Sequence, residues 1–287
     1  MKIGLLLEGG AMRGLYTAGV LDVFMEEGIC ADGVVGVSAG ALFGMNYKSG
    51  QAGRVLRYNL QYARNRHYMG FYSLLTTGNI MNQSFCFDKI VNQLDPVDFA
   101  AFRHNPMAFY AVVTNMETGQ AEYIPIEDLQ KTEQMEYLRA SGSMPFVSRP
   151  VMVDGKRYLD GGIADSIPIE KILGMGYDKI IVVLTRPIEY RKKKSGQRLP
   201  RWYYRKYPRL TQAINDRYKK YNAAADRVAA LEQEGKIFVL RPSIRVPIKR
   251  IEKDKRKIQK MYDLGRRDAK AGLASLQAFL SDENSVL

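Results

Sequence analysis

Two short apolar runs, each followed by a glycine-containing turn and then a helical pattern, constrain the fold of this chain most. The first run, Ile3–Leu7, ends in Glu8-Gly9-Gly10, and apolar residues then recur at helical spacing over 15–27. The second run, at 34–37, leads into a helical pattern that begins at Ala39. Short continuous apolar runs are typical of parallel strands buried on both faces. The repeated strand and helix therefore predict an α/β domain.

The rest of the chain extends this pattern. Further strands are predicted at 107–114, 121–126, 179–184 and 236–240, and residues 51–80 are predicted to be helical. Alternating strands and helices predict a three-layer sandwich with a mostly parallel central sheet. The composition changes after Thr185, so we expect a core over residues 1–185 and a basic, mainly helical region over 186–287, packed as one structural unit. Residues 191–199 are charged and aperiodic, which predicts a mobile loop.

A serine lies between the second predicted strand and its helix. The segment Gly36-Val37-Ser38-Ala39-Gly40 fits the pattern G-x-S-x-G in the strand–turn–helix context of a nucleophile elbow. The glycines allow the strained turn and the close approach of strand and helix. The helix N-terminus favours negative charge that develops near Ser38. We predict that Ser38 is the nucleophile of a serine hydrolase; the alternative is a chance Gly-Ser turn.

A nucleophilic serine needs a base, and the chain has two histidines, His67 and His104. Neither lies at the end of a predicted strand among glycines. Tyr158-Leu159-Asp160-Gly161-Gly162 reads as a short strand that ends in an acid and two glycines. A partly desolvated carboxylate that is hydrogen-bonded to a serine hydroxyl can accept its proton. Asp160 is therefore the predicted base, and the alternative is an aspartate that caps a turn.

The loop after the first strand, Gly9-Gly10-Ala11-Met12-Arg13-Gly14, is a candidate anion site. Backbone N–H groups in such a loop can converge on an oxyanion, and Arg13 adds positive charge. The competing interpretation is a dinucleotide phosphate loop of the form G-x-G-x-x-G. Residue 11 is alanine, however, and no clear acid ends a second strand to hold a ribose.

These three segments, in this order, resemble the motifs of the patatin-like phospholipase family, which has a G-G-G-x-R/K-G loop, a G-x-S-x-G elbow and a later D-G-G or D-G-A. The resemblance covers about residues 3–185 and includes Ala140-Ser141-Gly142-Ser143-Met144-Pro145 and Asp165-Ser166-Ile167-Pro168. It implies a variant α/β-hydrolase fold with a catalytic core at 1–185. It also implies a Ser-Asp dyad of Ser38 and Asp160, with amides near Gly10 and Ala11 holding the oxyanion.

Two positions depart from the family pattern. Ala11 replaces the third glycine of the loop, and its methyl group is tolerable if φ is negative there. Asp165 stands where relatives often have asparagine, which is expected to add a carboxylate near the site. The resemblance implies a lipid or acyl-ester substrate. The alternatives are a hydrolase of soluble esters or thioesters and a non-enzymatic, membrane-associated regulator that keeps the fold.

Positive charge is concentrated late in the chain. The formal net charge is +13; residues 186–260 hold 24 Lys or Arg against 7 Asp or Glu, and the other residues hold 19 against 23. This imbalance predicts an anionic partner. Trp and Tyr interleave with cations at 201–209, so we expect the region between Arg201 and Lys220 to bind an anionic membrane surface. Single-stranded nucleic acid and a solvated basic face are the alternatives.

Other features narrow the class of protein. Cys30 and Cys86 lie in no CxxC pair, so we interpret both as reduced thiols. The first residues lack the apolar segment of a secretory signal, and no apolar run approaches the length of a membrane span. We expect a soluble cytoplasmic protein that works at the inner face of the membrane. We expect no cofactor, no metal centre and no calcium requirement for the chemistry.

Overall fold

An eight-stranded mixed sheet forms the centre of the molecule in the computed structural model, which describes residues 1–194 and 203–282. The strands are β1 (Ile3–Leu7), β2 (Gly33–Val37), β3 (Ala108–Asn115), β4 (Ala121–Pro125), β5 (Val151–Val153), β6 (Lys156–Asp160), β7 (Lys179–Val183) and β8 (Ile237–Leu240). They lie in the order β5-β6-β3-β2-β1-β7-β8, and β4 pairs with β3. The pairs β1–β2, β1–β7, β2–β3 and β7–β8 are parallel, so the sheet is mostly parallel.

Helices cover both faces of this sheet. They are α1 (Leu15–Glu26), α2 (Ala39–Lys48), α3 (Arg54–Tyr62), α4 (Phe71–Thr77), α5 (Phe99–His104), α6 (Thr132–Ser141), α7 (Ile169–Leu173), α8 (Pro208–Gln233) and α9 (Lys255–Ser281). Side chains alternate along each strand: Leu5 and Leu7 pack with α1, α2, α3, α5 and α9, whereas Leu6 packs with α7 and α8. The three-layer α/β sandwich predicted from the sequence is confirmed.

The segment at 51–80, predicted to be helical, is interrupted. Helix α3 ends at Tyr62, and α4 begins only at Phe71. Gly70 has φ 130° and Gly78 has φ 75°, conformations that glycine adopts readily and that bound α4 on both sides. An isolated β-bridge between Met69 and Met81 joins the two ends of the segment that contains α4. A π-helix at Phe85–Leu94, which the sequence analysis missed, follows it.

The C-terminal region extends the same sheet. β8 pairs in parallel with β7, so a boundary at residue 185 divides neighbouring strands. Helix α9 crosses α1 at two glycines. A Cβ on Gly19 would lie 2.2 Å from the Tyr262 carbonyl oxygen, and one on Gly265 would lie 2.0 Å from that of Tyr16. The two helices can therefore approach backbone to backbone.

Two sequence predictions, the loop at 191–199 and the lack of a membrane span, can be compared with the described residues only. Residues 191–194 have no regular structure, and the rest of the loop predicted at 191–199 lies outside the described residues. No helix among the described residues is both long and apolar enough to cross a membrane.

Candidate active site

The carboxyl ends of β2 and β6 meet head to head, and this topology brings Ser38 to Asp160. β2 runs parallel to β3, and its last residue, Val37, pairs with Val112. β6 runs antiparallel to β3, and its last residue, Asp160, pairs with Val113. β4 occupies the other edge of β3, so β2 and β6 share one edge. The two strands therefore reach the same point from opposite directions.

Ser38 lies in a strained turn between β2 and α2. Its backbone has φ 54° and ψ −119°, which a residue other than glycine adopts only when the surrounding structure holds it. A Cβ on Gly40 would lie 2.3 Å from the Leu7 carbonyl oxygen, and one on Gly36 would lie 2.7 Å from the Cα of Ala41. Only glycine fits at these two positions, and the tight packing fixes the serine at the turn.

Ser38 and Asp160 form a direct hydrogen-bonded pair. Ser38 Oγ donates to Asp160 Oδ2 at 2.7 Å, and the backbone N–H of Gly162 donates to Oδ1 at 2.8 Å. Both side chains are buried, with 9% and 5% of their surface exposed. Burial raises the pKa of Asp160, while the positive charge of Arg217 and these two hydrogen bonds oppose the rise. The position of this carboxylate and its raised pKa allow it to accept the hydroxyl proton.

The last residue of α6 and the segment that follows it hold this pair in place. Ser141 Oγ accepts a hydrogen bond from the Ser38 N–H at 2.9 Å and donates to the Val112 carbonyl at 2.7 Å. The carbonyl of Ser143 accepts from the Asp160 N–H at 2.8 Å. The sequence analysis quoted Ser141 and Ser143 only as part of a resemblance and missed this role. The Ser-Gly-Ser spacing just before an aspartate strand was the available signal.

The loop Gly9–Gly14 lies against Ser38 on the other side. A Cβ on Gly9 would lie 2.9 Å from the Cβ of Ser38, and one on Gly14 would lie 2.8 Å from that of Ala39. Among residues 1–194 and 203–282, the backbone N–H groups of Gly9, Gly10 and Ala11 meet no acceptor. Three consecutive unpaired donors beside a buried serine are the elements of an oxyanion hole.

Ala11 does not meet the condition set for its methyl group. Its φ is 49°, not negative, so an alanine occupies a left-handed position that costs about 1 kcal/mol or more. The Met12 N–H donates to the Arg250 carbonyl at 3.4 Å, and the Arg13 N–H turns back to the Gly10 carbonyl at 3.1 Å. The loop is therefore held in a strained 3-10 turn by contacts on both sides.

Two cavities meet at Ser38, and the residues that line both are Ala11, Ser38, Ile80, Met144, Arg250 and Ile251. The first, the apolar pocket, has a volume of about 80 Å³. Its wall is mainly aliphatic, aromatic and sulfur-containing and includes Leu42, Met45, Tyr58, Tyr68, Met69, Ile80, Met81, Phe87 and Val91. The second, the basic cavity, is about 1110 Å³, and eight Lys or Arg against three Asp or Glu line it. Ser38 therefore has an apolar and a cationic side.

The aspartate glycines complete the site. A Cβ on Gly161 would lie 2.2 Å from the Val112 carbonyl oxygen, so this glycine lets the chain pass directly over β3. A Cβ on Gly162 would lie 3.0 Å from the Arg217 guanidinium. The missing side chain therefore leaves room for Arg217, which brings a positive charge close to Asp160.

Other candidates lie elsewhere. His67 and His104 are exposed and line neither cavity, as expected for residues that do not serve as the base.

Asp165, expected to add a carboxylate near the site, accepts a hydrogen bond from the Tyr123 hydroxyl at 2.7 Å and lines neither cavity. The Asp165 N–H donates to the Gly161 carbonyl at 3.0 Å, so this residue stays next to the aspartate turn while its carboxylate is engaged by Tyr123. In the described part of the chain, no group of three or more His, Cys, Asp or Glu is arranged to hold a metal.

The basic and aromatic segment at 201–209 differs in part from the exposed membrane-binding surface expected there. Arg201 and Trp202 lie outside the described residues. Tyr204 is buried, and its hydroxyl accepts a hydrogen bond from the Phe146 N–H at 3.2 Å. Part of this segment therefore packs inward on the core and is not presented to an outside partner.

Family models match both parts of the chain. A model described as patatin-like phospholipase matches residues 5–173, which include the Gly9–Gly14 loop, Ser38 and Asp160. A second model, described as a domain of unknown function, matches residues 207–281. The core and the C-terminal region thus correspond to separate sequence families, although both contribute to the walls of the basic cavity.

The chain is similar to several known proteins. It is 30% identical over 207 residues to the uncharacterized protein YjjU of Escherichia coli, across 70% of this chain and 57% of YjjU. It is 26% identical over 182 residues to an uncharacterized NTE family protein of Mycobacterium tuberculosis, across 63% and 48% of the two chains. Lysophospholipase nte1 of Aspergillus niger is 27% identical over 199 residues, across 63% of this chain and 12% of nte1. The chain spans about half the length of the first two relatives.

Proposed function

The chain belongs to the patatin-like phospholipase family, and on that premise we propose that it hydrolyses carboxylic esters of lipids, with Ser38 as nucleophile and Asp160 as general base. The observation that carries this proposal is the 2.7 Å hydrogen bond between Ser38 Oγ and Asp160 Oδ2 in a buried site. A serine and a carboxylate at this distance can exchange a proton without an intervening histidine.

In the first half-reaction, Asp160 takes the proton of Ser38 as Oγ attacks the ester carbonyl carbon. The carbonyl oxygen becomes an oxyanion, which the free N–H groups of Gly10 and Ala11 are positioned to bind. Asp160 then returns the proton to the departing alkoxide, and the acyl group stays on Ser38.

In the second half-reaction, a water molecule replaces the alcohol. Asp160 removes its proton, the hydroxide oxygen attacks the acyl carbon, and the same N–H groups bind the second oxyanion. The proton passes to Ser38 Oγ as the fatty acid leaves. The upward shift in the pKa of Asp160 suits a group that must both accept and donate a proton.

The deciding experiment is a panel of acyl esters and thioesters, from acetyl to palmitoyl, assayed with wild type and Ser38→Ala. We expect wild type to hydrolyse the longer lipid esters, to react with a fluorophosphonate probe, and to lose both properties in the variant. Full activity in Ser38→Ala would refute the role of this serine. A preference for short soluble esters or thioesters would favour that alternative, and no labelling of wild type would favour a non-enzymatic regulator.

We also propose that lipid is met at a membrane surface through α4. Phe71 and Leu75, one helical turn apart, are 70% and 69% exposed. The chain on either side of α4 lines the apolar pocket with Met69 and Met81, so α4 lies next to the wall of the pocket. The Arg66 guanidinium lies 4.7 Å from the centre of the Tyr72 ring, which adds a cation beside these apolar side chains.

Vesicle sedimentation tests this surface. We expect Phe71→Ser/Leu75→Ser to weaken binding to vesicles of phosphatidylglycerol and phosphatidylcholine severalfold, because two apolar anchors are lost. Leu94→Ser, which removes an exposed leucine of the π-helix, is the matched control. Equal binding of the double variant and wild type would rule out α4 as the docking surface.

A further inference from the structure

The basic cavity holds more cations than acids among the residues that the structure describes. Five of its cations act on one another or on the groups around Ser38, namely Arg13, Arg186, Lys192, Arg217 and Arg250. Within residues 1–194 and 203–282, none of these five forms an ion pair within 4.0 Å. Like charges gathered in a partly buried cavity repel one another, so their arrangement favours a bound anion.

The carboxylates in this cavity are already engaged. Glu8 accepts hydrogen bonds from the hydroxyls of Thr185 and Tyr221 at 3.0 and 2.9 Å. Asp160 accepts from Ser38 and Gly162. The third acid, Glu189, is exposed. The hydrogen bonds of Glu8 and Asp160 therefore go to other groups, and their charges offset only part of the positive charge of eight lining cations.

Aromatic rings and neutral groups hold the cations in place. Lys192 Nζ lies 4.4 Å from the centre of the Tyr221 ring, and the backbone N–H of Lys192 donates to Asn222 Oδ1 at 2.8 Å, which fixes the main chain that carries this side chain. The Arg186 guanidinium lies 4.2 Å from the centre of the Tyr190 ring. Because these contacts position the side chains without neutralising them, the cavity is arranged in advance for an anion.

The electrostatic effect of this crowding is large. Burial, with the positive charges of Arg217, Arg13 and Arg250, lowers the pKa of Lys192 to about 7. Burial and the charges of Arg186 and Arg250 lower the pKa of Arg13 to about 10. A bound anion would relieve this repulsion and favour the protonated forms.

We propose that the basic cavity binds the phosphate-bearing headgroup of the lipid ester whose acyl chain enters the apolar pocket. This inference rests on the proposed function and names its substrate class: an acyl ester with an anionic leaving group, such as an anionic lysophospholipid. Ser38 lies between the two cavities, which is where the ester bond of such a molecule would lie. Lys192, Arg217 and Arg250 follow residue 185, so the C-terminal region completes the substrate site.

Kinetics with matched substrates test this assignment. Lysophosphatidylglycerol and monoacylglycerol with the same acyl chain differ in the phosphate, and wild type is expected to prefer the phosphate ester. In Lys192→Gln/Arg250→Gln, the ratio of kcat/KM for the two substrates should fall about ten- to a hundredfold, because two charged contacts are lost. The matched control is Lys219→Gln/Lys236→Gln, which removes two exposed lysines outside the cavity and should leave the ratio unchanged. An unchanged ratio in the cavity variant would overturn the proposal.

A binding experiment distinguishes failure of this proposal from failure of the proposed function. Calorimetry with Ser38→Ala avoids turnover and compares sn-glycerol 3-phosphate, inorganic phosphate and glycerol. We expect glycerol 3-phosphate to bind, glycerol not to bind, and affinity to fall at least tenfold when Lys192→Gln/Arg250→Gln is added. Inorganic phosphate that binds as tightly, with an unchanged substrate ratio, would indicate a free phosphate site and overturn the headgroup assignment. Retained glycerol 3-phosphate binding that depends on Lys192 and Arg250, with no esterase activity in wild type, would refute the proposed function alone.

Discussion

The two sides of Ser38 differ in chemistry and, in part, in origin. The lining of the apolar pocket comes largely from α2, α3 and the π-helix, with Arg250 and Ile251 of the C-terminal region, whereas the basic cavity is completed by α8 and the segments at 186–193 and 243–251. One serine thus lies between a wall suited to an acyl chain and a wall suited to an anion. Under the proposed function, the acyl chain and the headgroup would contact different walls, and the reacting ester would lie at Ser38, where the two cavities meet.

An arginine on each side shows what the difference depends on. Arg54, at the wall of the apolar pocket, is fully buried; it donates to the Asp95 carbonyl at 2.9 Å and to Asn46 Oδ1 at 2.7 Å and lies 3.5 Å from the Asp95 carboxylate. Arg217, which lines the basic cavity but not the apolar pocket, is half-buried and forms no ion pair within 4.0 Å among the described residues. The two arginines therefore differ in both burial and pairing, and the one without an ion pair is the one available to a ligand.

The largest expected effect concerns Asp160, because the proposed hydrolysis of every ester depends on it. Asp160→Asn keeps the shape of the side chain but removes the proton acceptor of Ser38, so we expect activity on every ester to fall at least about a thousandfold. Asp165→Asn is the matched control, because Asp165 is a half-buried aspartate close in sequence that contacts Tyr123 instead. Steady-state kinetics with circular dichroism checks both variants. Comparable losses in the two would show that the defect is structural.

The next effect belongs to the apolar side alone. Leu42→Trp fills part of the apolar pocket, so we expect kcat/KM for a palmitoyl ester to fall about tenfold relative to an acetyl ester. Leu94→Trp places the same ring at an exposed position and should leave the ratio unchanged. If Leu42→Trp lowers both esters equally, the acyl chain does not lie in this pocket.

A smaller effect belongs to the basic side and depends on pH. The pKa of Lys192 is lowered to about 7 by burial and by Arg217, Arg13 and Arg250, against the opposing charge of Glu8. The protonated form attracts an anion, so sulfate affinity should be highest below pH 7 and fall severalfold by pH 9. Sulfate keeps its charge over this range. In Lys192→Arg the cation persists, so the slope should flatten; an equal slope in both proteins would assign the titration to another group.

The smallest effect lies at the junction. Ala11 has φ 49°, so Ala11→Gly should relieve strain of about 1–2 kcal/mol while adding about 0.5–1 kcal/mol of unfolded-chain entropy. We expect a net gain of about 0.5 kcal/mol in the free energy of unfolding, measured with urea. Ala41→Gly, within α2, should instead lose about 1 kcal/mol. A loss at both positions would show that the loop favours alanine.

Local patterns predicted much of the site. The strand–turn–helix context of Ser38 and the glycines after Asp160 predicted both residues before their contact was known, and the structure places them 2.7 Å apart. The sequence left open the sign of φ at Ala11, and it did not predict the hydrogen bond between Asp165 and Tyr123. Both depend on how a loop packs against distant residues, and no local pattern records that packing.

The sequence by itself determined the layered α/β fold, the strained serine turn and the excess of basic residues after Thr185. These follow from the period of apolar residues, from glycines at fixed offsets and from charge, all of which are local properties of the chain. Only the tertiary structure decided that β2 and β6 end head to head on one edge of β3. It alone also decided which cations turn inward beside Ser38 and which, like Arg54, are paired. Those outcomes depend on contacts between residues far apart in sequence, which local periodicity does not encode.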